Sequence, residues 1–352
     1  MPDAIFSYEL MEESQAGAGE GRAAFYKRTR QGAAVTRSVS ERDIRVLLSL
    51  GGASVASLLP ARAWLPFGRF VSTLRYGRKR RKGYAAFAEA MGSVLGIDDA
   101  AMCETLFRRF LENLARRELM FTIDELARSR NPRIEAAGTE KLRAALDRGR
   151  GAIVWASPFV FQTLAGKRAL WEQGFRPIQI SDTHHGFSNT AFGNVAINPL
   201  VRRAEDRYLK ERICFEPRSG AAVTRKIVSL LDQGELILLT NNVHAGSMFV
   251  EMRFGERGSI SMPTGPLSIV ARRATPFFSM AILETAPFER MQAVIEPIDD
   301  ATAAQGRAAS RDYARMARLA LVARDNLLAQ FRRAPDQYLG VAGLGRSKLE
   351  TR

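Results

Sequence analysis

The sequence predicts an α/β fold in which a mixed, mostly parallel β-sheet is covered by helices on both faces, after an N-terminal helical lead-in. Two observations support this prediction. The chain has 352 residues, 46% of them hydrophobic, so it is long enough to bury a large core. Between residues 152 and 240, short apolar runs alternate with segments of helical period. Strands that alternate with helices are typical of parallel sheets.

The first 40 residues carry no sustained hydrophobic period. This segment mixes Gly, Ala, Ser, Glu and Arg, and no strong secondary-structure element is expected to start there. It also lacks the combination of basic start, apolar core and cleavage site that marks a signal peptide. We therefore expect residues 1–40 to form a flexible tail.

An uncharged stretch and a basic stretch follow. Residues 46–61 carry no charge, and this segment is shorter than the roughly 20 residues that a membrane-spanning helix needs. Residues 62–82 interleave four aromatic residues with Arg62, Arg69, Arg75, Arg78, Lys79, Arg80, Arg81 and Lys82. Basic residues beside aromatic anchors favour an anionic membrane surface, so we expect residues 46–61 to lie in the membrane interface. A core helix followed by a solvated basic turn is the alternative, and no nucleic-acid motif accompanies the charge.

The charge and cysteine content narrow the function classes. The formal net charge is +15, from 52 Lys and Arg against 37 Asp and Glu, which predicts an acidic partner such as phosphate or a membrane surface. Cys103 and Cys214 lie far apart without metal-ligand spacing, so neither a disulfide framework nor a zinc site is expected. A reducing cytoplasm is the predicted compartment. No glycine-rich dinucleotide or Walker sequence supports a nucleotide-binding fold.

The remaining elements can be predicted in order along the chain. Amphipathic helices are expected over 84–95 and 100–123, and a third over 141–146. The first clear strand is the apolar run 153–156, which follows a glycine and is closed by a proline. The later elements are expected to be helix 163–173, strand 177–181, helix 195–210, strand 212–215, helix 219–232, strand 235–240, strand 275–283, strand 291–296 and helix 311–331.

The candidate site residues lie where these strands end. Ser157 follows the strand 153–156 directly, and Gln162 lies five residues later at the start of a helix. Side chains just beyond parallel strand ends can face a cleft. The three histidines also follow strands: His184 and His185 come after strand 177–181, and His244 comes after strand 235–240. A histidine can act as a general base, and the alternative is that these histidines only hydrogen-bond their own loops.

Several blocks, in the correct order over residues 43–339, resemble the lysophospholipid acyltransferase superfamily. The similarity is to its lipid A late acyltransferase branch, the lauroyl and myristoyl transferases. The most specific block is the glycine-containing hairpin that leads into Thr264-Gly265. The other blocks are residues 149–163, Arg176-Pro177, Asn198-Pro199, 275–283 and Pro335-Asp336-Gln337-Tyr338-Leu339.

This resemblance implies an altered active site. Members carry a histidine at the strand end and an acidic residue five positions later, and here those positions hold Ser157 and Gln162. The resemblance also implies a glycerolipid acyltransferase-like α/β domain over residues 131–345, joined to a basic, helical membrane-interface lead-in over 41–130 as one structural unit. Its expected co-substrate is an acyl thioester, acyl-ACP or acyl-CoA, with no other cofactor, no metal and no nucleic acid. The expected location is the inner face of the cytoplasmic membrane, as a peripheral protein.

The same resemblance places further substrate contacts in the second half of the chain, at Asn242, Arg253, Arg257, Thr264 and Gly265. Thr264 is predicted to cap a helix whose first amides point outward, and such a terminus can bind phosphate or a developing oxyanion. An ordinary capped helix is the alternative. Arg253 and Arg257 are the predicted phosphate contacts.

Three versions of the function stay open at this point. In the first, Ser157 is a nucleophile that His185 or His244 activates, which gives an acyl-enzyme. In the second, His184, His185 or His244 deprotonates the acceptor directly. In the third, the protein binds acyl chains, lipids or acyl carrier protein without turnover. The sequence favours an acyltransferase with a rebuilt site, and the alternative is a catalytically silent binding partner of another enzyme.

Overall fold

The structure, a computed structural model, describes residues 6–15, 21–30, 38–182, 185–215, 220–241, 246–299 and 312–345. Its helices are α1 (Glu41–Leu58), α2 (Trp64–Leu95), α3 (Ala100–Leu126), α4 (Thr139–Leu146), α5 (Gln162–Glu172), α6 (Ala191–Ala196), α7 (Asn198–Asp206), α8 (Gly220–Asp232), α9 (Gly265–Arg273) and α10 (Tyr313–Arg333). Its strands are β1 (Phe6–Gln15), β2 (Arg22–Arg30), β3 (Arg133–Ala137), β4 (Ala152–Ala156), β5 (Ile178–Asp182), β6 (Glu211–Phe215), β7 (Leu236–Thr240), β8 (Met248–Phe254), β9 (Gly258–Pro263), β10 (Phe277–Ala286) and β11 (Arg290–Pro297).

A seven-stranded sheet lies at the centre of the molecule. The strand order is β3-β11-β10-β4-β7-β5-β6. Every neighbouring pair is parallel except β10 and β11, which form an antiparallel hairpin. The predicted mixed, mostly parallel sheet is therefore confirmed. All five residues of β4 are buried, as expected for a strand with neighbours on both sides and helices above and below.

Helices cover both faces of this sheet, and β4 shows how. Ile153 and Trp155 point into one core, with residues of α8, α9 and α10. Val154 points into the other core, with residues of α4 and α5. Alternation along one strand thus supplies two hydrophobic layers, because successive side chains of a strand lie on opposite faces.

A second, antiparallel sheet contains strands from the beginning of the chain. Its order is β1-β2-β8-β9. The prediction of a flexible tail over residues 1–40 is therefore wrong for residues 6–15 and 22–30. The physical reason is burial: Phe25 and Tyr26 are almost fully buried, and the Tyr26 ring stacks on Phe249 of β8 at 5.6 Å. The described chain thus begins with a hairpin, and the helices α1 to α3 follow it.

The helices α1, α2 and α3 are joined by side-chain hydrogen bonds. Ser49 of α1 and Arg75 of α2 both contact Glu118 of α3, and Arg75 Nη1 donates to its carboxylate at 2.9 Å. Trp64 Nε1 donates to the carbonyl of Ala56 at 3.0 Å. The described part of the chain includes no helix that is both long enough and apolar enough to cross a bilayer.

The parallel strands bring several loops to one edge of the central sheet. β4, β7 and β5 are neighbours in this order, so the segments after their carboxyl ends lie side by side. From β4 the chain crosses to β5 on one side, whereas β10 lies on the other side. Ligand crevices in open α/β sheets form at such points, where the direction of the connections changes.

Candidate functional site

Ser157 lies at the centre of this carboxyl edge, one residue beyond β4. Its backbone amide donates to the carbonyl of Met280 in β10 at 2.8 Å. Its hydroxyl oxygen accepts a hydrogen bond from Asn241 Nδ2 at 3.2 Å, and only 3% of the residue is exposed. Asn241 follows β7, and its amide donates to the carbonyl of Ala156 at 3.0 Å. Two neighbouring strands thus fix Ser157.

Gln162, the second substituted position, is the first residue of α5. Its amide donates to the carbonyl of Phe159 at 3.1 Å, and 4% of the residue is exposed. The side-chain amide packs against Gly166. A Cβ atom at residue 166 would lie only 2.2 Å from the side-chain nitrogen of Gln162, so this position has room for a glycine only. Its Oε1 is buried and has no hydrogen-bond partner among the described residues. Both substituted positions therefore hold neutral polar groups.

The C-terminal segment clamps the loop between these two residues. Val160 donates its amide to the carbonyl of Gln337 at 2.6 Å, and Leu339 donates to the carbonyl of Pro158 at 2.8 Å. The Tyr338 ring packs on the Phe159 ring, with 5.4 Å between their centroids. The block around Pro335 that resembles the acyltransferase terminus thus closes over the strand-end loop.

His185, after β5, contacts a carboxylate on α7. Its Nε2 lies 2.8 Å from Glu205 Oε2, on α7. The same carboxylate oxygen accepts from Lys167 of α5 at 2.9 Å and from Arg212 of β6 at 2.8 Å. The structure thus places His185, one of the three histidines predicted as a possible relocated base, in a buried charge cluster, where Glu205 holds its ring.

Glu205 carries the negative charge of this cluster. Burial by itself would raise the pKa of Glu205, but Lys167, His185 and Arg212 outweigh burial and hold that pKa well below its ordinary value. Glu205 is therefore ionised at neutral pH. Its second oxygen, Oε1, is buried and has no hydrogen-bond partner in the described part of the chain.

A second carboxylate, Asp43 of α1, holds the loop that follows His185. It accepts hydrogen bonds from the Ser188 hydroxyl, from Thr190 Oγ1 at 2.9 Å and from the Ser40 amide at 2.7 Å. Burial opposes ionisation of Asp43, but these hydrogen bonds prevail and lower its pKa. Asn198 completes the clamp, because its Oδ1 accepts from the Ser188 amide at 3.0 Å.

Three predicted site residues, His184, Asn242 and His244, lie outside the described residues. The chain enters the segment with Asn242 and His244 from Asn241, the residue that hydrogen-bonds Ser157. The described part of the sequence includes no group of three or more His, Cys, Asp or Glu residues arranged to hold a metal ion.

Thr264 and Gly265 stand at the start of α9, as predicted, but Thr264 does not cap it. The Thr264 side chain donates instead to the carbonyl of Met248 at 3.2 Å, and its amide donates to the same carbonyl at 3.1 Å. The predicted side-chain cap is therefore wrong. The physical reason is that the end of β9 holds Thr264 against the start of β8, in a helical backbone conformation that turns the hydroxyl away from the next amides.

The structure does not bring Arg253 and Arg257 to this helix start. Arg253 lies five residues along β8 from Met248, which corresponds to roughly 17 Å at the usual rise of a strand. Its guanidinium donates to the carbonyl of Glu256, in the β8–β9 turn. Arg257 donates to the carbonyl of Gly92 at 3.1 Å. Both arginines thus hold the far end of the hairpin, where it meets the end of α2.

Sequence reasoning missed two components of this edge. Asn241 follows a strand just as Ser157 does, so the strand-end pattern could have identified it. The cluster around Glu205 gives no such signal, because Lys167, His185, Glu205 and Arg212 come from four separate elements. Only the folded chain brings these four side chains together.

Comparison with known proteins gives no match: no family model fits the sequence, and no curated protein is significantly similar to it. The relation to the late acyltransferases therefore stands on the sequence blocks alone and stays a prediction.

Proposed function

We propose that this protein has an acyltransferase-type architecture and binds an acyl thioester, from acyl carrier protein or CoA, at the carboxyl edge around Ser157. The observation that carries the proposal is the hydrogen bond from Asn241 to Ser157, at a strand end where the related enzymes hold a histidine. With Gln162, this arrangement offers neutral hydrogen-bonding groups in place of a base and a carboxylate. Such groups suit binding of a carbonyl or hydroxyl better than removal of a proton.

The contacts of Ser157 argue against its activation as a nucleophile. A serine hydroxyl needs a general base within about 3 Å. Its partner here is a side-chain amide, which donates to the serine oxygen and cannot take up its proton. The His185 ring is held by Glu205 instead. We therefore favour the version in which the chain binds the acyl group without forming an acyl-enzyme on Ser157.

Acyl transfer remains the second candidate function, and one observation favours it. His244 lies three residues after Asn241 in the sequence, and Asn241 contacts Ser157. A histidine this close in sequence to Asn241 could deprotonate an acceptor next to Ser157. An amine acceptor would need less help from a base than a hydroxyl does.

The charge of the chain fits the proposed partners. The net charge of +15 favours an acidic carrier protein and an anionic membrane surface. We accordingly propose a peripheral location at the inner face of the cytoplasmic membrane, with acyl-ACP or acyl-CoA as the ligand.

The test measures binding and turnover separately. Purified protein is titrated with a fluorescent acyl-CoA and with acyl-ACP, and release of free thiol is followed with candidate hydroxyl and amine acceptors. We expect saturable binding that Asn241→Leu weakens. The control Ser229→Ala, at an exposed position of α8, should leave binding unchanged. Absence of binding would overturn the proposal. Thiol release that His244→Ala abolishes would assign transfer instead, and an acyl group trapped on Ser157 would restore the nucleophile version.

A further inference from the structure

The outer face of α1 is an apolar stripe in contact with solvent. Ile44, Leu48, Val55 and Leu58 are 57%, 72%, 66% and 68% exposed, and their spacing of three, four or seven residues puts them on one side of the helix. The opposite side, with Ala53 and Ala56, is buried against its neighbouring helices. A helix that is apolar on both sides is normally covered on both, so the outer stripe calls for a partner.

This stripe is presented on a firmly held helix. Ser49 and Glu118 connect the middle of α1 to α3, and Thr122 Oγ1 donates to the carbonyl of Ala53 at 3.1 Å. Ala53 follows Ser49 by four residues in α1, and Thr122 follows Glu118 by four residues in α3, so the two helices run in the same direction. Because α1 is fixed against α3 in this way, its apolar stripe lies on the outer side of the packed helices.

Other exposed apolar residues extend the stripe at both ends. At its start, the Phe192 amide of α6 donates to the carbonyl of Ser38 at 2.9 Å, which brings exposed Phe192 and Val195 next to α1. At its end, Leu59 and Leu126 are exposed as well, at the ends of α1 and α3. The exposed apolar surface therefore includes residues of α1, α3 and α6. It is larger than a contact with a single helix would require.

A basic cavity adjoins the end of this surface. Arg130, in the turn after α3, donates from Nη1 to the carbonyl of Leu59 at 3.1 Å. The same turn leads into a cavity of about 590 Å³. Its charged lining consists of three arginines and two glutamates, Arg128, Arg133, Arg168, Glu135 and Glu172. The positive charge thus exceeds the negative charge where the apolar stripe ends.

Of the three arginines that line the cavity, Arg168 is buried and the other two are exposed. The side chain of Arg168 is only 4% exposed, its Nη2 donates to the carbonyl of Pro132, and its Nε lies 3.0 Å from Glu172 Oε1. Arg128 and Arg133 are exposed at the mouth. Arginines in this arrangement suit the oxygens of a phosphate, which guanidinium groups bind with two parallel hydrogen bonds.

We propose that this composite surface binds an anionic phospholipid bilayer, with the α1 stripe among the acyl chains and a lipid phosphate at the cavity with the exposed Arg128 and Arg133. The proposal deepens the proposed function and rests on it, because it names the membrane surface at which the acyl ligand is met. A second copy of this chain is the less favoured occupant, since each copy carries a net charge of +15. An anionic bilayer attracts that charge, whereas a second copy repels it.

The test is sedimentation of the full chain with vesicles of phosphatidylcholine, with and without phosphatidylglycerol. We expect binding to vesicles with phosphatidylglycerol only. Leu48→Glu should weaken it about tenfold or more, because it removes a large apolar side chain from the acyl region. Arg133→Glu should weaken it specifically for the anionic vesicles. The matched controls are Leu10→Glu on β1 and Arg332→Glu on α10, both at exposed positions away from the surface, and they should bind as the unaltered chain does.

Three outcomes would overturn the proposal. The first is equal binding by Leu48→Glu and the unaltered chain. The second combines two results: inorganic phosphate competes with vesicles in a way that Arg133→Glu abolishes, and Leu48→Glu has no effect on vesicle binding. This outcome would mean that the cavity binds soluble phosphate. The third is a dimer that Leu48→Glu dissociates without any vesicle binding. Acyl-CoA binding in solution, which Leu48→Glu should leave unchanged, separates failure of this proposal from failure of the proposed function.

Discussion

Two neighbouring regions of the central sheet use polar residues in opposite ways. At the ends of β4 and β7, Ser157, Asn241 and Gln162 are neutral, and Gln162 Oε1 has no hydrogen-bond partner among the described residues. Beside β5 and β6, the ionised Glu205 holds Lys167, His185 and Arg212 together. The difference teaches that the buried charges of this sheet are used in contacts between elements, whereas the strand end at Ser157 offers only neutral hydrogen-bonding groups.

Restoring charge at the neutral part should have the greatest consequence. The double variant Ser157→His with Gln162→Asp puts a base and its orienting carboxylate at the positions that the resemblance to the late acyltransferases predicts for them. If the pocket is intact, thiol release from acyl-CoA in the presence of a hydroxyl acceptor should rise by roughly 10² to 10⁴ over the unaltered chain. Ser157→His alone is the matched control, with a smaller gain because nothing orients its ring. No gain in a folded double variant that still binds acyl-CoA would contradict the proposed site.

Removing the charge of Glu205 should destabilise the folded chain. Glu205→Gln leaves Lys167 buried without its counter-ion and leaves Arg212 with Asp206, and the loss of a buried counter-ion typically destabilises by about 3 to 5 kcal/mol. Urea unfolding at neutral pH measures it. Glu211→Gln, at an exposed position on the neighbouring strand β6, is the control and should change stability by less than about 0.5 kcal/mol. Similar values for the two variants would mean that the cluster does not stabilise the fold.

The Asp43 clamp should behave as a structural contact of the second part. Asp43→Asn keeps one acceptor oxygen and loses the charge that attracts Ser188 and Thr190, so we expect a loss of about 1 to 3 kcal/mol. Hydrogen exchange should quicken at the amides of residues 188–190. Acyl-CoA binding should stay unchanged, and a large loss of binding would show that the two regions are coupled. Asp232→Asn, in an exposed ion pair, is the control.

Acid should weaken the charged part gradually. The pKa values of Asp43 and Glu205 lie below their ordinary values in the folded chain. A carboxylate with a lowered folded pKa adds stability above its unfolded pKa and loses it as the pH falls through the folded pKa. Below about pH 4, the free energy of unfolding should therefore fall by up to about 1.4 kcal/mol per pH unit for each group. Urea unfolding at a series of pH values measures this slope, and Glu205→Gln should make it shallower; an equal slope in this variant would count against the assignment.

The sequence predicted the elements with strong periodicity and missed those that depend on distant partners. The apolar run of β4 and the helix of α5 were predicted within a residue or two. β2 was missed because its aromatic residues, Phe25 and Tyr26, are adjacent in a charged segment, and their burial depends on distant partners in β8 and α10. β3 was missed because its residues are at best half-buried and β11 is its one strand partner, more than 150 residues away.

The candidate site was predicted in position but not in its contacts. Ser157 and Gln162 follow from the strand-end pattern and from the resemblance. The pairing of Ser157 with Asn241 joins residues 84 positions apart, and the Glu205 cluster joins four elements. Local patterns carry no information on such contacts, because the contacts arise from the order of strands in the sheet.

The clamp of residues 335–339 on residues 158–160 has a consequence for the order of folding during synthesis. The clamping residues leave the ribosome after all eleven strands of the described chain. Until Tyr338 arrives, Phe159 lacks the ring that covers it, so the loop beyond Ser157 is completed last. Nascent chains that stop before residue 335 should be cleaved next to Phe159 by limited proteolysis, whereas longer chains should resist. The protein thus acquires its candidate site only when residues up to Leu339 are available to fold.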